Sequence, residues 1–419
     1  GWLPGILFLL SGGLGFYYLI NDFFQSNQSF FEFLFSIPRD YTIGEDFRWG
    51  NTLTTLLITQ RSLLLGLPLT LFLIISINSF REKEGEPSAA SNLSKPLILG
   101  FIAGLLPLIH LHSLIVLFIV SLFNFLFYKS ARRRLLFFGA ATAVFALAEL
   151  FWASAGSASD AEKFIAFAPG WDSQGNNLIW FWLKNTGLLI PLTILGFFLR
   201  YSSYDKDNKP EIKDLFFGYI PFAVIFLLSN LFKFAPWQWD NIKLLVYWLA
   251  ASAAFAAYAL AIIWQQPRFG KPIAAILFIC LTLAGASDVW RTISSAINYR
   301  VFDAQAAAFG DAARSKLPSK SVILNAPTYN TASVLTGGLS FMRYPGHLSS
   351  HGIDYTTRES ITNEIYRGGL RAKQLIQENR INYVLISPAE KSMLYVNEQF
   401  FRQFPLETEI GNYRLYKVR

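Results

Sequence analysis

The residues best suited to chemistry stand in short polar stretches between long apolar runs. The first stretch reads Ile37-Pro38-Arg39-Asp40-Tyr41-Thr42, then Gly44-Glu45-Asp46-Phe47-Arg48-Trp49, and Arg61 closes it before the next apolar run. Asp40, Glu45 and Asp46 are candidate catalytic carboxylates, because a carboxylate can bind a hydroxyl or take its proton. Arg39, Arg48 and Arg61 can hold a phosphate or pyrophosphate. A second stretch carries Trp171-Asp172, and a third reads Trp237-Gln238-Trp239-Asp240-Asn241-Ile242-Lys243. Trp171, Trp237 and Trp239 offer faces for a sugar ring, and fit equally as anchors at a membrane interface. Asp240 and Lys243 begin an otherwise apolar run. Lys243 can snorkel to meet a lipid phosphate. The same pair also reads as a helix-start carboxylate with its ion-pair partner.

All four histidines are expected on the same, outer side of the membrane: His110 and His112 at a short turn within an apolar run, His347 and His351 in the polar C-terminal part. We count them as candidate substrate-binding residues. Imidazole with carboxylate suits several metals, so a divalent ion stays open, but no spacing matches an established metal motif and no metal ligand is assigned. No cofactor is expected: there is no G-x-G-x-x-G, P-loop, Gly-x-Ser-x-Gly or His-Glu-x-x-His. The lone cysteine, Cys280, sits in an apolar run and excludes an internal disulfide or a Cys-rich metal site.

Composition says what must position these groups. Of 419 residues, 53% are hydrophobic and only 15% charged, against about 25% charged in ordinary soluble domains. Mean hydropathy is +0.35. The apolar runs fill residues 1–288, and 289–419 have a soluble composition. We therefore expect an α-helical polytopic transmembrane domain over 1–288, followed by an extracytoplasmic α/β domain over 289–419. The net charge of +8 is explained by basic loops between spans, so nucleic acid is not expected as a partner. Residue 1 is Gly and an apolar run starts at once, without a charged leader or cleavage site. The expectation is that the natural chain extends upstream.

Spans need about 20 apolar residues, and runs of that kind lie near 1–20, 62–79, 134–152, 177–200, 214–233, 242–265 and 269–288. The run 96–128 is too long for one span. Basic loops at 80–95 and 129–134 both belong in the cytoplasm, which requires two short helices between them, turning at the His110/His112 pair. The total is about nine spans, with the loops 21–61, 153–176 and 234–241 outside. In the C-terminal part, Ser321–Ala326 and Asn382–Ser387 read as buried strands. Arg358–Glu378 and Asn397–Phe404 read as helices, and Glu407–Val418 as a hairpin around Gly411-Asn412. Alternating strands and helices imply a small α/β layer.

This plan of many spans, polar outer loops and a C-terminal outer domain resembles the GT-C superfamily of membrane glycosyltransferases. More narrowly, the chain looks like a group of bacterial multi-pass proteins related by name to 6-pyruvoyl-tetrahydropterin synthase. The residues are Thr59-Gln60-Arg61-Ser62-Leu63-Leu64-Leu65-Gly66, Trp237 to Lys243, Tyr344-Pro345-Gly346-His347, His351-Gly352-Ile353-Asp354-Tyr355 and Tyr383-Val384-Leu385-Ile386. No pterin-enzyme motif accompanies them. The superfamily resemblance implies transfer of a sugar from a polyprenyl-phosphate carrier to an acceptor on the outer face of the cell membrane. It also implies a first-loop carboxylate that orients or deprotonates the acceptor, and basic residues on the lipid phosphate. Such an acid follows a protein's first span, which places the principal one upstream of Gly1 and leaves Asp40, Glu45 and Asp46 as candidates by position. The expected partners are the bilayer, the lipid-linked sugar and other membrane subunits. A non-catalytic subunit of the cell envelope is the competing reading, and a transporter or flippase a third. Transporters place ionisable residues and repeats at mid-membrane, and the sequence shows no repeat.

Overall fold

The computed structural model describes residues 1–45, 47–81, 93–154, 165–203, 209–351 and 353–419. It divides into two compact units, one within residues 1–297 and one comprising Asn298–Arg419. The first unit is helical: α1 (Leu3–Leu10), α2 (Gly15–Ser26), α3 (Phe30–Phe35), α4 (Arg61–Asn78), α5 (Ser94–Gly104), α6 (Leu106–Ile109), α7 (Leu111–Phe127), α8 (Arg132–Ser154), α9 (Leu178–Thr186), α10 (Leu189–Ser202), α11 (Lys209–Leu231), α12 (Ile242–Gln265) and α13 (Gly270–Ile293). Among the described residues five helical stretches are long and apolar enough to cross a membrane, and seven if each of two bent pairs is one span; 94–109 and 111–127 are shorter apolar helices.

The bends differ from the straight spans read from the sequence. α1 and α2 meet at 63°, and α9 and α10 at 85°. Glycine allows both, and the two breaks touch each other. The Leu14 N–H donates to the Lys184 carbonyl at 2.8 Å. A Cβ on Gly13 would lie 2.0 Å from that same carbonyl oxygen, and one on Gly15 would lie 1.9 Å from the Tyr41 carbonyl oxygen. Gly187, with φ +58°, ends α9 in a conformation closed to most residues. Backbone thus packs directly on backbone at this crossing.

Around α12, which is buried along much of its length, α10 approaches closely enough that a Cβ on Gly196 would lie 1.9 Å from the Phe255 carbonyl oxygen. Small residues give such close helix contacts within a bundle. One end of the bundle gathers the basic loops. Arg81 donates to Asn124 at 2.9 Å, stacks on the Tyr128 ring at 3.8 Å, and pairs with Asp214 at 3.6 Å. Arg134 and Lys213 donate to the Phe80 and Phe127 carbonyls, at 3.0 Å each. The other end gathers the polar loops after α3, before α9 and after α11. β1 (Ala166–Phe167) and β2 (Phe232–Lys233) join two of them as a short antiparallel ribbon.

The second unit carries β3 (Val322–Leu324), β4 (Leu339–Ser340), β5 (Tyr383–Ile386), β6 (Leu406–Ile410) and β7 (Tyr413–Lys417). Their order is β4-β3-β5-β7-β6. β4, β3 and β5 are parallel, while β7 and β6 complete the sheet antiparallel. Around it lie α14 (Ala304–Arg314), α15 (Pro345–Ser350), α16 (Thr356–Arg367), α17 (Leu370–Glu378), α18 (Pro388–Met393) and α19 (Glu398–Phe401). The single helix read over Arg358–Glu378 is two, because Gly368 and Gly369 take φ +78° and +98°. β5 is buried throughout, as a strand covered on both faces must be.

Candidate functional site

The first polar loop is fixed by the last helix of its unit. Asp288, in α13 and only 1% exposed, accepts the backbone N–H of Tyr41 at 2.7 Å and that of Thr42 at 3.0 Å. It also accepts the Thr42 hydroxyl at 2.6 Å. Two and three residues on, Trp290 donates to the Leu34 carbonyl at 2.8 Å, and Arg291 donates to the Ile37 carbonyl at 3.0 Å. Arg291 also pairs with Asp40 at 2.9 Å. From the other side Asn185 accepts the N–H groups of Arg48 and Trp49, at 2.7 and 3.0 Å. The loop is thus held at its middle and its end by groups that must lose their water on folding, so each bond has to be made.

Two cavities open along this loop. The larger, about 370 Å³, is lined by Arg39, Asp40, Tyr41, Glu45 and Arg291 among others. The smaller, about 110 Å³, is lined by Glu45, Arg48, Asp172, Asn176, Trp180 and Lys184 among others. Glu45 borders both. Arg39 makes a two-point contact with Asp22, at 2.8 and 3.1 Å, and the hydrogen bond to Asp22 holds its proton above the ordinary Arg range. The Tyr41 hydroxyl donates to the same carboxylate at 2.8 Å, and burial pushes that phenol up from its usual value. Arg48 donates to Asp172 through Nε at 2.6 Å.

The candidate residues separate clearly. Arg39, Asp40 and Glu45 line one cavity and Arg48 lines the other; Asp46 lies outside the described residues. Arg61 opens α4 at an exposed position and lines neither cavity. Trp171 is fully buried. It stacks on Trp182 at 5.3 Å and meets Trp49 edge-on at 5.9 Å, and Trp248 closes the group at 5.8 Å from Trp182. It is therefore core, with no face left for a sugar. Trp239 is buried too, donating its indole N–H to the Arg48 carbonyl at 2.8 Å, while Trp237 is exposed and packs on it at 5.0 Å.

Asp240 and Lys243 satisfy each other at 2.9 Å, with side-chain exposures of only 11% and 16%, and line neither cavity. His110 breaks the chain between α6 and α7, as a turn would. It is buried against Gly66 rather than displayed outward, and its Nδ1 meets Ser113 at 2.7 Å. His112, 5.6 Å from it ring to ring, lies inside α7 and is half-buried. His347 and His351 belong to the second unit, where His347 packs on Tyr329 and Tyr344 and the His351 Nδ1–H donates to the His347 carbonyl at 2.8 Å. Among the described residues no group of three or more His, Cys, Asp or Glu is placed to hold a metal.

Asp22, Asp288, Arg291 and Asn185 are the groups that sequence reasoning did not select. Asp288 had a signal: a carboxylate inside an otherwise apolar run is costly unless it is used. Asp22 and Asn185 had none, because their partners lie 17 and 137 residues away along the chain.

The chain matches no protein-family model and no curated protein sequence. Among solved structures it is similar to the apo oligosaccharyltransferase of Archaeoglobus fulgidus, with a TM-score of 0.48 and 10% identity over 79% of this chain and 52% of that one. It is also similar to the same enzyme tethered by a disulfide to an acceptor peptide containing the NVT sequon, with a TM-score of 0.46 and 11% identity over 78% of this chain and 50% of that one. The narrower likeness to pterin-synthase-related proteins finds no support in these matches. The chain spans about half the length of the oligosaccharyltransferase structures it is similar to.

Proposed function

We propose that this chain is a membrane glycosyltransferase-like protein of the GT-C plan, moving a sugar from a polyprenyl-phosphate donor to an acceptor at the outer face. The observation that carries this reading is the cavity of about 370 Å³ in which the carboxylates of Asp40 and Glu45 stand with the guanidiniums of Arg39 and Arg291. In the transfer step, the acceptor hydroxyl oxygen bonds to the anomeric carbon and the bond from that carbon to the phosphate oxygen breaks. The phosphate leaves with the electron pair, and the hydroxyl proton passes to a carboxylate. Glu45 is the group assigned to that proton, because Asp40 is already committed to Arg291. Arg291 uses Nε and Nη1 on Ile37 and Asp40, and its other N–H donors suit a phosphate oxygen.

The gathering of basic loops at one end of the bundle and polar loops at the other supports a topology in which the cavities face outward. With both bent pairs and both shorter helices crossing, the spans number about nine. The unit from Asn298 is then extracytoplasmic.

A second reading, a non-catalytic membrane subunit, is favoured by one observation: the carboxylates of Asp22, Asp40, Asp172 and Asp240 are all spent on internal cations. Turnover separates the two. The purified protein in lipid nanodiscs is given radiolabelled polyprenyl-phosphate sugars and a membrane-extract acceptor. Transfer that falls about a hundredfold or more in Glu45→Gln supports the enzyme. No transfer by the wild type supports the subunit, and equal transfer by the variant removes Glu45 from the proton's path.

A further inference from the structure

The second unit holds a polar crevice that the transfer chemistry does not use. From the end of β3 the chain turns toward β4, and from the end of β5 it proceeds to the opposite side of the sheet, where β7 and β6 lie. Open α/β sheets bind ligands where two such strand ends part, outside the carboxyl ends of the strands. A cavity of about 190 Å³ lies at this position, lined by Asn330 from the segment after β3, Ser387 just after β5, Tyr413 at the start of β7, and Arg300 and Asp303 ahead of α14. The parted ends are braced from beneath. Glu390, fully buried, accepts the Ala326 N–H at 2.8 Å with one oxygen and the Ser387 hydroxyl with the other. Asn325, next to Ala326 in the chain, donates its amide to the Ala326 and Met342 carbonyls at 2.8 and 3.3 Å, and its side-chain oxygen has no hydrogen-bond partner among the described residues.

The chemistry selects a class of ligand. The crevice has one cation, Arg300, and one anion, Asp303, so it does not attract a polyanion. Asp303 accepts the Ala306 N–H at 2.7 Å and the Tyr413 hydroxyl at 3.3 Å, one on each oxygen. A carboxylate offers about four acceptor positions, and those left can take two neighbouring hydroxyls. The Asn330 amide donates and accepts, and Arg300 can donate to a ring or bridging oxygen. Phe302 and Tyr413 supply apolar surface to the same wall, as the C–H face of a sugar ring requires. The volume is below the range of about 300–1,000 Å³ usual for larger ligands, which suits a single ring. We propose that this crevice binds one saccharide unit of a glycan through a vicinal diol.

This proposal does not depend on the transfer reading, and its test keeps the two apart. The full-length protein, solubilised in detergent and fluorescently tagged, is applied to an array of immobilised mono- and oligosaccharides. The wild type should be retained on a subset of glycans. Asp303→Asn, which keeps a good helix cap, and Asn330→Ala should each weaken retention about tenfold or more. Glu45→Gln should be retained like the wild type whatever its transfer activity. Retention of the wild type on no glycan, or undiminished retention of both crevice variants, overturns the proposal.

Discussion

Asp288 holds Thr42 twice, taking its backbone N–H and its hydroxyl on one carboxylate oxygen. The partners are 246 residues apart, so the lip of the larger cavity is set by the last helix of the unit and not by the loop's own sequence. Asp288→Ala would leave the Tyr41 and Thr42 donors buried and unmet, at a cost of roughly 3 kcal/mol. The expected outcome is a lower thermal midpoint for the solubilised protein and faster proteolysis within residues 36–50. An unchanged cleavage pattern would show that the loop is held by other contacts.

Gly13 is expected to tolerate no side chain. Its Cβ would lie 2.0 Å from the Lys184 carbonyl oxygen, and neither backbone can yield alone. Gly13→Ala should cost about 3 kcal/mol, at the upper end of overpacking effects. Gly5→Ala, where a Cβ meets nothing within 4 Å, is the matched control and should be near neutral. Comparable melting of the two variants would mean that the helix crossing is looser than described.

Topology can be read by labelling. Ser319 is exposed in the second unit, and Cys280 is the only cysteine. With Cys280→Ser in place, Ser319→Cys should react with a membrane-impermeant maleimide on intact cells. Protection until lysis would place the second unit in the cytoplasm and reverse the orientation of both cavities.

The second unit contains two carboxyls with opposite pH behaviour. Burial pushes Glu390 above the ordinary carboxyl range, against the hydrogen bonds from Ser387 and Ala326 that pull it down. Its folded value is raised, so the stability it lends is full below the unfolded value and lost as pH rises through the folded one. Glu398 is held down by its hydrogen bond to Lys391 first, and by the charges of Lys391 and Arg414. Its contribution is present above the unfolded value and lost as pH falls. Hydrogen exchange of β5 at pH 3, pH 5 and pH 8 checks both. Relative to wild type, Glu390→Gln should gain more protection at pH 8 than at pH 5, and Glu398→Gln should lose more at pH 8 than at pH 3. The reverse order for either residue would contradict the environment described for it.

These contrasts show what the sequence could and could not carry. The apolar runs and basic loops are local, additive signals, and the helices lie where those runs are. The bends were not legible as bends, although Gly12-Gly13 and Gly187 mark them, because glycine in an apolar run reads equally as a close helix contact. At the site, the Arg and Asp pairs of the first loop were legible as chemistry, but their partners were not, since Asp22 and Arg291 meet that loop only through the fold. Trp171 was misjudged for a physical reason. An indole beside Gly170 and Asp172 looks like loop surface, and only the approach of Trp49, Trp182 and Trp248 turns it inward.

The same tryptophan nest makes the molecule optically lopsided. All eleven tryptophans precede Asn298, so intrinsic indole emission reports on the first unit and is silent on the second. Within the first unit, Trp49 and Trp171 belong to the two loops that border the cavities, while Trp182 and Trp248 belong to helices. Rings held 5–6 Å apart in fixed orientation give a near-ultraviolet dichroism that vanishes when packing loosens, even if the helices persist. A single spectrum of the unlabelled protein therefore tells whether the loops are seated, before any substrate is known.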